Sequence, residues 1–170
     1  NIFYWHLNAL LMVSQYTGIP RPIIEIGGGG GELARLFALA YGRSFRYDII
    51  DLPESLFFAE VFLRATLPDY HVAYGPGYIP MGIRLVPVQQ RDRLQYDQGT
   101  SIVAINQGGF QEMPPDVVQD WYSWLYTNNI RDIYSLNSRE TPLPGIGWDT
   151  VHLTENPALI VADAVNNWRE

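Results

Sequence analysis

Residues 27–31 are five consecutive glycines, set between the β-branched run Pro22-Ile23-Ile24-Glu25-Ile26 and residues 32–40, where apolar side chains recur at helical spacing up to Gly42. Glycine weakens a helix or strand from within, so the run marks a turn. It is too short, and too tightly flanked by patterned segments, to be a linker. The unit reads as strand, glycine turn and helix. In α/β folds such a turn lies beyond the C-terminal end of a strand, where the backbone can approach a ligand and the next helix presents free N–H groups.

The rest of the chain continues the alternation. Residues 2–16 carry Phe3, Leu7, Leu10, Leu11 and Ser14 at helical spacing, and Gly18-Ile19-Pro20 stops them. Residues 45–50 form a second buried strand; Pro53 sits in the first turn of a helix over residues 54–67, which Pro68 ends. Residues 71–81 mix Tyr, Gly and Pro without either period and read as an irregular excursion. Strands are predicted at residues 83–88, 101–106 and 130–136, with a helix at 115–126. Trp121, Tyr122, Trp124 and Tyr126 on that helix recur mostly at core spacing. Residues 141–170 hold Pro142, Pro144, Gly145 and Gly147, then a strand near 150–153 and a helix at 157–168. Together these elements predict a Rossmann-like, doubly wound, mainly parallel sheet with right-handed crossovers and helices on both faces. A length of 170 residues with 47% hydrophobic side chains suits one domain, and the start at Asn1 without a signal-peptide pattern suggests a piece of a longer chain.

Composition removes several function classes. A net charge of −7 without basic clusters argues against nucleic acid as partner, and no apolar run approaches the roughly 20 residues of a membrane span. A cytoplasmic location is expected. All eleven basic residues are Arg, which excludes Schiff-base chemistry, a lysine general base and a Walker-type phosphate loop. There is no Cys, and the three histidines, His6, His71 and His152, are too scattered to form a ligand cluster, so no metal is expected.

Spacing within the turn separates two cofactor classes. A dinucleotide fold wants Gly-x-Gly-x-x-Gly or Ala directly after the strand. Counted from Gly27 the sixth position is Glu32, which fails; a frame at Gly29, Gly31 and Ala34 begins three residues late. The pattern Glu25-x-Gly27-x-Gly29-x-Gly31 instead resembles the first motif of class I methyltransferases. That resemblance implies S-adenosyl-L-methionine as cofactor, held by Glu25, Gly27, Gly28, Gly29 and Gly31. A carboxylate suits an ammonium and a sulfonium and would repel a pyrophosphate. Asp51 follows the second strand, twenty residues after Gly31, where a carboxylate can accept hydrogen bonds from both ribose hydroxyls; the N-cap of the next helix is its alternative role.

Ile24-Glu25-Ile26-Gly27-Gly28-Gly29-Gly30-Gly31, Ile50-Asp51-Leu52-Pro53-Glu54-Ser55 and Phe110-Gln111-Glu112-Met113 together resemble the bacterial sugar O-methyltransferase family over roughly residues 1–140. The chain departs from that family in having only Gly where an aromatic residue tends to interrupt the turn. The resemblance implies a class I methyltransferase core, Leu52 beside Asp51 at the cofactor, Gln89 near the adenine, and Asn106 in the loop facing the methyl group. It implies a small-molecule or glycan acceptor, with Gln107 and Gln111 suited to its hydroxyls. Glu112 is the carboxylate of that loop and the candidate general base; pairing with the terminus of the following helix is its other role. A homo-oligomer is left open. The competing readings are a nicotinamide-dependent oxidoreductase on the same sheet and a non-catalytic binding domain.

Overall fold

A computed structural model describes residues 2–17, 21–97, 99–137 and 160–161. In chain order the elements are α1 (Ile2–Thr17), β1 (Ile23–Ile26), α2 (Glu32–Tyr41), β2 (Arg46–Asp51), α3 (Pro53–Thr66), β3 (Val72–Tyr74), β4 (Gly82–Pro87), β5 (Val103–Gln107), α4 (Pro115–Thr127), β6 (Asp132–Leu136) and β7 (Ile160–Val161). Short 3-10 turns at Val88–Arg93 and Phe110–Glu112 follow β4 and β5. The strands form one sheet in the order β3-β4-β2-β1-β5-β6-β7, and every neighbouring pair is parallel.

This is the expected α/β, doubly wound architecture, and the two layers follow from strand periodicity. Ile23, Tyr47, Ile49, Ile83, Leu85 and Ile105 face one way and pack with Ala9 and Val13 of α1, Phe37 of α2 and Leu63 of α3. Ile24, Ile26, Ile50, Val86 and Ala104 face the other way and meet Val118, Trp121 and Leu125 of α4. Because both faces are covered, the strands are apolar without clean alternation. From β1 the chain winds towards β2 and β4; from β5 it winds towards β6 and β7. The crevice between the ends of β1 and β5 is therefore the switch point at which such sheets bind ligands.

Three local expectations are corrected. Residues 71–81 are not wholly irregular, because Val72–Tyr74 form β3 along the edge of β4. Three residues before Gly75-Pro76-Gly77 are too few to show a period. Ile160–Val161, inside the helix expected at 157–168, is instead a strand paired with Tyr134 and Ser135. The strand expected near 150–153 lies outside the described residues. In α1 the buried residues are Ala9 and Val13, whereas Phe3 is 45% and Leu11 58% exposed. That helix is apolar around most of its circumference, so spacing did not select its buried side. Of the α4 aromatics, Trp121 and Trp124 are core residues as expected, while Tyr126 is exposed. No helix among the described residues is long and apolar enough to cross a membrane.

Candidate functional site

A cleft of about 410 Å³ opens at the switch point, within the usual size range of small-molecule sites. Its walls come from the C-terminal ends of strands, the turns after them and the N-terminal halves of α3 and α4. Gly27 and Gly29 follow β1; Ile50 and Asp51 end β2, with Leu52 and Ser55 entering α3; Val88 follows β4. Gly109, Glu112 and Met113 follow β5, and Val117 and Trp121 face in from α4. Arg91 backs this last wall, its guanidinium 4.4 Å from the centre of the Trp121 ring. Asp51 and Glu112 are the charged residues of the lining, and no basic side chain lines the cleft among the described residues.

The glycine spacing has a backbone cause. Gly27, Gly29 and Gly31 adopt φ values of 76°, 53° and 81°, a region that side chains disfavour, so the alternate glycines of the motif are the alternate left-handed positions of the turn. Gly28 is needed for space, since a Cβ there would lie 2.7 Å from both Glu25 Oε2 and Ile49 Cγ2. A Cβ on Gly30 would meet nothing within 4 Å, which makes it the position where a related turn can carry a side chain. The turn is closed by its own hydrogen bonds: Gly27 N–H donates to the Ile50 carbonyl (2.9 Å), Gly31 N–H to the Gly28 carbonyl (3.0 Å), and Gly29 N–H to Asp51 Oδ2 (2.8 Å).

Asp51 is thus a tie between two loops, its Oδ1 also accepting from Leu52 N–H at 2.7 Å. It is not the cap of α3, whose N-cap is Leu52 with no side-chain hydrogen bond. One lone pair on each carboxylate oxygen remains for a ligand. Glu112 is exposed at the cleft, two residues before Pro114, the N-cap of α4, which makes no side-chain cap hydrogen bond.

Other expected contacts fall elsewhere. Glu25 does not line the cleft: it points into the α1–α3 layer beneath the turn, 3% exposed, and Tyr47 Oη donates to its Oε2 at 3.0 Å. Burial pushes its carboxyl up to about 7, opposed by the Tyr47 hydrogen bond and helped by the charge of Asp51. Between the ordinary carboxyl range and pH 7 the unfolded chain releases a proton that the folded chain keeps. Stability is therefore highest below about pH 4.5 and falls as pH rises towards 7, by on the order of 3 kcal/mol if Glu25 acts alone. Glu25→Gln is expected to remove this part of the slope in denaturant titrations at pH 5 and pH 8. An unchanged slope would mean that the carboxyl is not held protonated.

Asn106 is fully buried and joins the two sides of the switch point. Its Nδ2 donates to the Ile26 carbonyl (2.8 Å), and its Oδ1 accepts from Phe110 N–H (3.1 Å) and from Asn137 Nδ2 (2.9 Å). It shapes the loop that carries Gly109 and Glu112 and offers no atom to the cleft. Gly109 is correspondingly constrained, because a Cβ would come within 2.7 Å of Asn106 Nδ2. Gln89 is exposed and outside the lining, which its neighbour Val88 supplies. Gln111 lies outside the lining too, its backbone N–H held by Asn137 Oδ1 at 3.1 Å. Gln107 ends β5 with both amide atoms buried and unpartnered among the described residues.

Sequence reasoning did not select Ser55, Val88, Gly109, Met113, Val117 or Trp121. Gly109 could have been found as the second glycine of the pair after β5; the apolar members carry no local signal. Of the histidines, His71 precedes β3 at the opposite end of the sheet, His6 lies on α1, and His152 falls outside the described residues. No protein-family model, curated protein or solved structure matches the chain.

Proposed function

We propose that the protein is an S-adenosyl-L-methionine-dependent O-methyltransferase acting on a hydroxyl of a small molecule or glycan, a sugar in the first instance. The observation that carries this is the chemistry of the switch-point cleft: two carboxylates, no lining cation, and a glycine turn whose amides at residues 27, 29 and 31 are already bonded within the protein. A dinucleotide needs free turn amides and a positive helix terminus for its pyrophosphate. Here the first residue of α2 is Glu32, which places a further negative charge at that terminus. Glu25 no longer contributes to the distinction, since it is buried away from the cleft.

The chain's own residues divide the work. Gly27 and Gly29 allow close approach of the ligand to the backbone, and Asp51 accepts from the ribose hydroxyls with its remaining lone pairs. Ile50, Val88, Met113, Val117 and Trp121 give an apolar wall suited to the adenine and to excluding water. When bound, the cofactor supplies a methyl group on a positively charged sulfur. Glu112 would take the proton of the acceptor hydroxyl as its oxygen accepts that methyl group, so that the proton lost by the acceptor rests on the carboxylate. Holding donor and acceptor in line is the larger share of the task and falls to the walls of the cleft. Gln107 is outside the cleft lining with its amide atoms sealed from solvent, so it is not assigned to the acceptor.

The order β4-β2-β1-β5-β6-β7 is also that of a dinucleotide-binding sheet, so the test must compare cofactors. In calorimetry, S-adenosylhomocysteine is expected to bind and NAD and NADP are not. Asp51→Ala should weaken that binding by roughly 1.5–3 kcal/mol, the range for hydrogen bonds to a charged partner, while the fold survives. Tight NAD binding would overturn the methyltransferase reading, and normal binding by Asp51→Ala would confine Asp51 to tying the two loops.

A further inference from the structure

At the opposite end of the sheet, where β1, β2, β4 and β5 begin, lies a second cavity of about 200 Å³, whose lining includes Arg21, Ser44, Arg46, Tyr78, Asp97 and Thr100. Arg46 is its unusual member. It opens β2, is 5% exposed, and its Nε and Nη2 are shut off from solvent without a hydrogen-bond partner. A buried guanidinium in this state is costly.

The nearest carboxylate does not relieve it. Asp48 Oδ2 stands 3.9 Å from Arg46 Nε, but Asp48 is already gripped in bidentate fashion by Arg84, with Nε–Oδ1 at 2.8 Å and Nη2–Oδ2 at 2.6 Å. Tyr96 Oη adds a third hydrogen bond to Asp48 Oδ2 at 3.0 Å. Arg46 also lies over the Tyr96 ring, 4.8 Å from its centre, a contact that supplies no negative charge. Two buried cations therefore share one buried anion, and the cluster holds one positive charge in excess. Arg21 does not add to that excess, being paired with Asp132. Asp97 is exposed and forms no ion pair with Arg46. Buried charge of this kind requires a partner. Ser44, Tyr78 and Thr100 on the same lining each carry a hydroxyl, so the residues around the cavity hold more donors than the two oxygens of a carboxylate can use, a set suited to a tetrahedral oxyanion.

We propose that this cavity is a binding site for a phosphate group, free or carried by a small molecule, with Arg46 as its counter-ion. It is separate from the switch-point cleft and does not depend on the reaction assigned there. The test is an NMR titration of the ¹⁵N-labelled protein with inorganic phosphate, ionic strength being held constant with chloride. The Arg46 Nε–Hε resonance is identified by its loss in Arg46→Met. Saturable, single-site movement of that resonance is expected. Backbone resonances around Ser44 and Thr100 should report affinity at least about tenfold weaker in Arg46→Met, the loss of one charge-assisted contact. Thr100→Val, at the rim, should weaken binding several-fold with the fold intact, and keeps the question open to decision if Arg46→Met does not fold. Phosphate shifts no larger than those of chloride, or affinity unchanged in both variants, would overturn the site. Acetate saturating as tightly as phosphate would overturn the tetrahedral preference.

Discussion

Asp48→Ala is expected to lower the unfolding free energy by about 3–5 kcal/mol, the usual cost of removing one partner of a buried ion pair. Asp48 and Arg84 are both 0% exposed and face each other across the β2–β4 register, with Arg46 and Tyr96 packed on the same carboxylate. Without it, two guanidiniums would remain in the protein interior with no compensating charge. Such a loss is a large part of the roughly 5–15 kcal/mol that holds a domain of this size together. It should appear as a sharp fall in the urea midpoint at neutral pH. The companion variant, Asp48→Leu with Arg84→Met and Arg46→Met, removes all three charges of the cluster together and should recover most of the loss, because well-packed apolar replacements of buried ionic groups are often neutral. A fall below about 1 kcal/mol in Asp48→Ala would show that water reaches the cluster.

Glu112→Gln is expected to reduce single-turnover methyl transfer by on the order of 10²-fold or more, the contribution of a general base, with cofactor affinity unchanged. A sugar hydroxyl is too weakly acidic to lose its proton before the methyl group arrives, so the base must act within the same step. The loop after β5 offers one carboxylate, and it lines the cleft with Asp51. Gln preserves size and most hydrogen bonding, so a loss of rate reports basicity. The measurement uses a saturating cofactor and a chelator, so that stray metal cannot substitute. A near-normal rate would assign the base to a group other than Glu112.

Much of the glycine-turn half of this cleft was legible in the chain. The five-glycine run could only be a turn, and the alternation Gly27-x-Gly29-x-Gly31 is the φ pattern written in residue types. Asp51 was visible because a short acidic residue after a buried strand and before Pro53 has few alternatives. Glu25 shows the limit: its place at the end of β1 was clear, but its direction was not. A strand buried on both faces has no polar–apolar contrast to reveal which way each residue points.

What the chain by itself determined, then, was the sequence of strands and helices, the glycine turn and the end of the sheet at which a ligand belongs. These rest on short-range causes: backbone sterics, periodicity and helix stops act between residues a few positions apart. Only the tertiary structure decided which groups meet. The Asp48–Arg84 pair, 36 residues apart, follows from the β2–β4 register; Asn106 reaches Ile26 across 80 residues because β5 lies beside β1; Met113, Val117 and Trp121 become a wall only when α4 docks on that face. Such meetings depend on which strands pair and which faces they present, choices made by the packing of the whole chain that leave no mark on any local stretch of it.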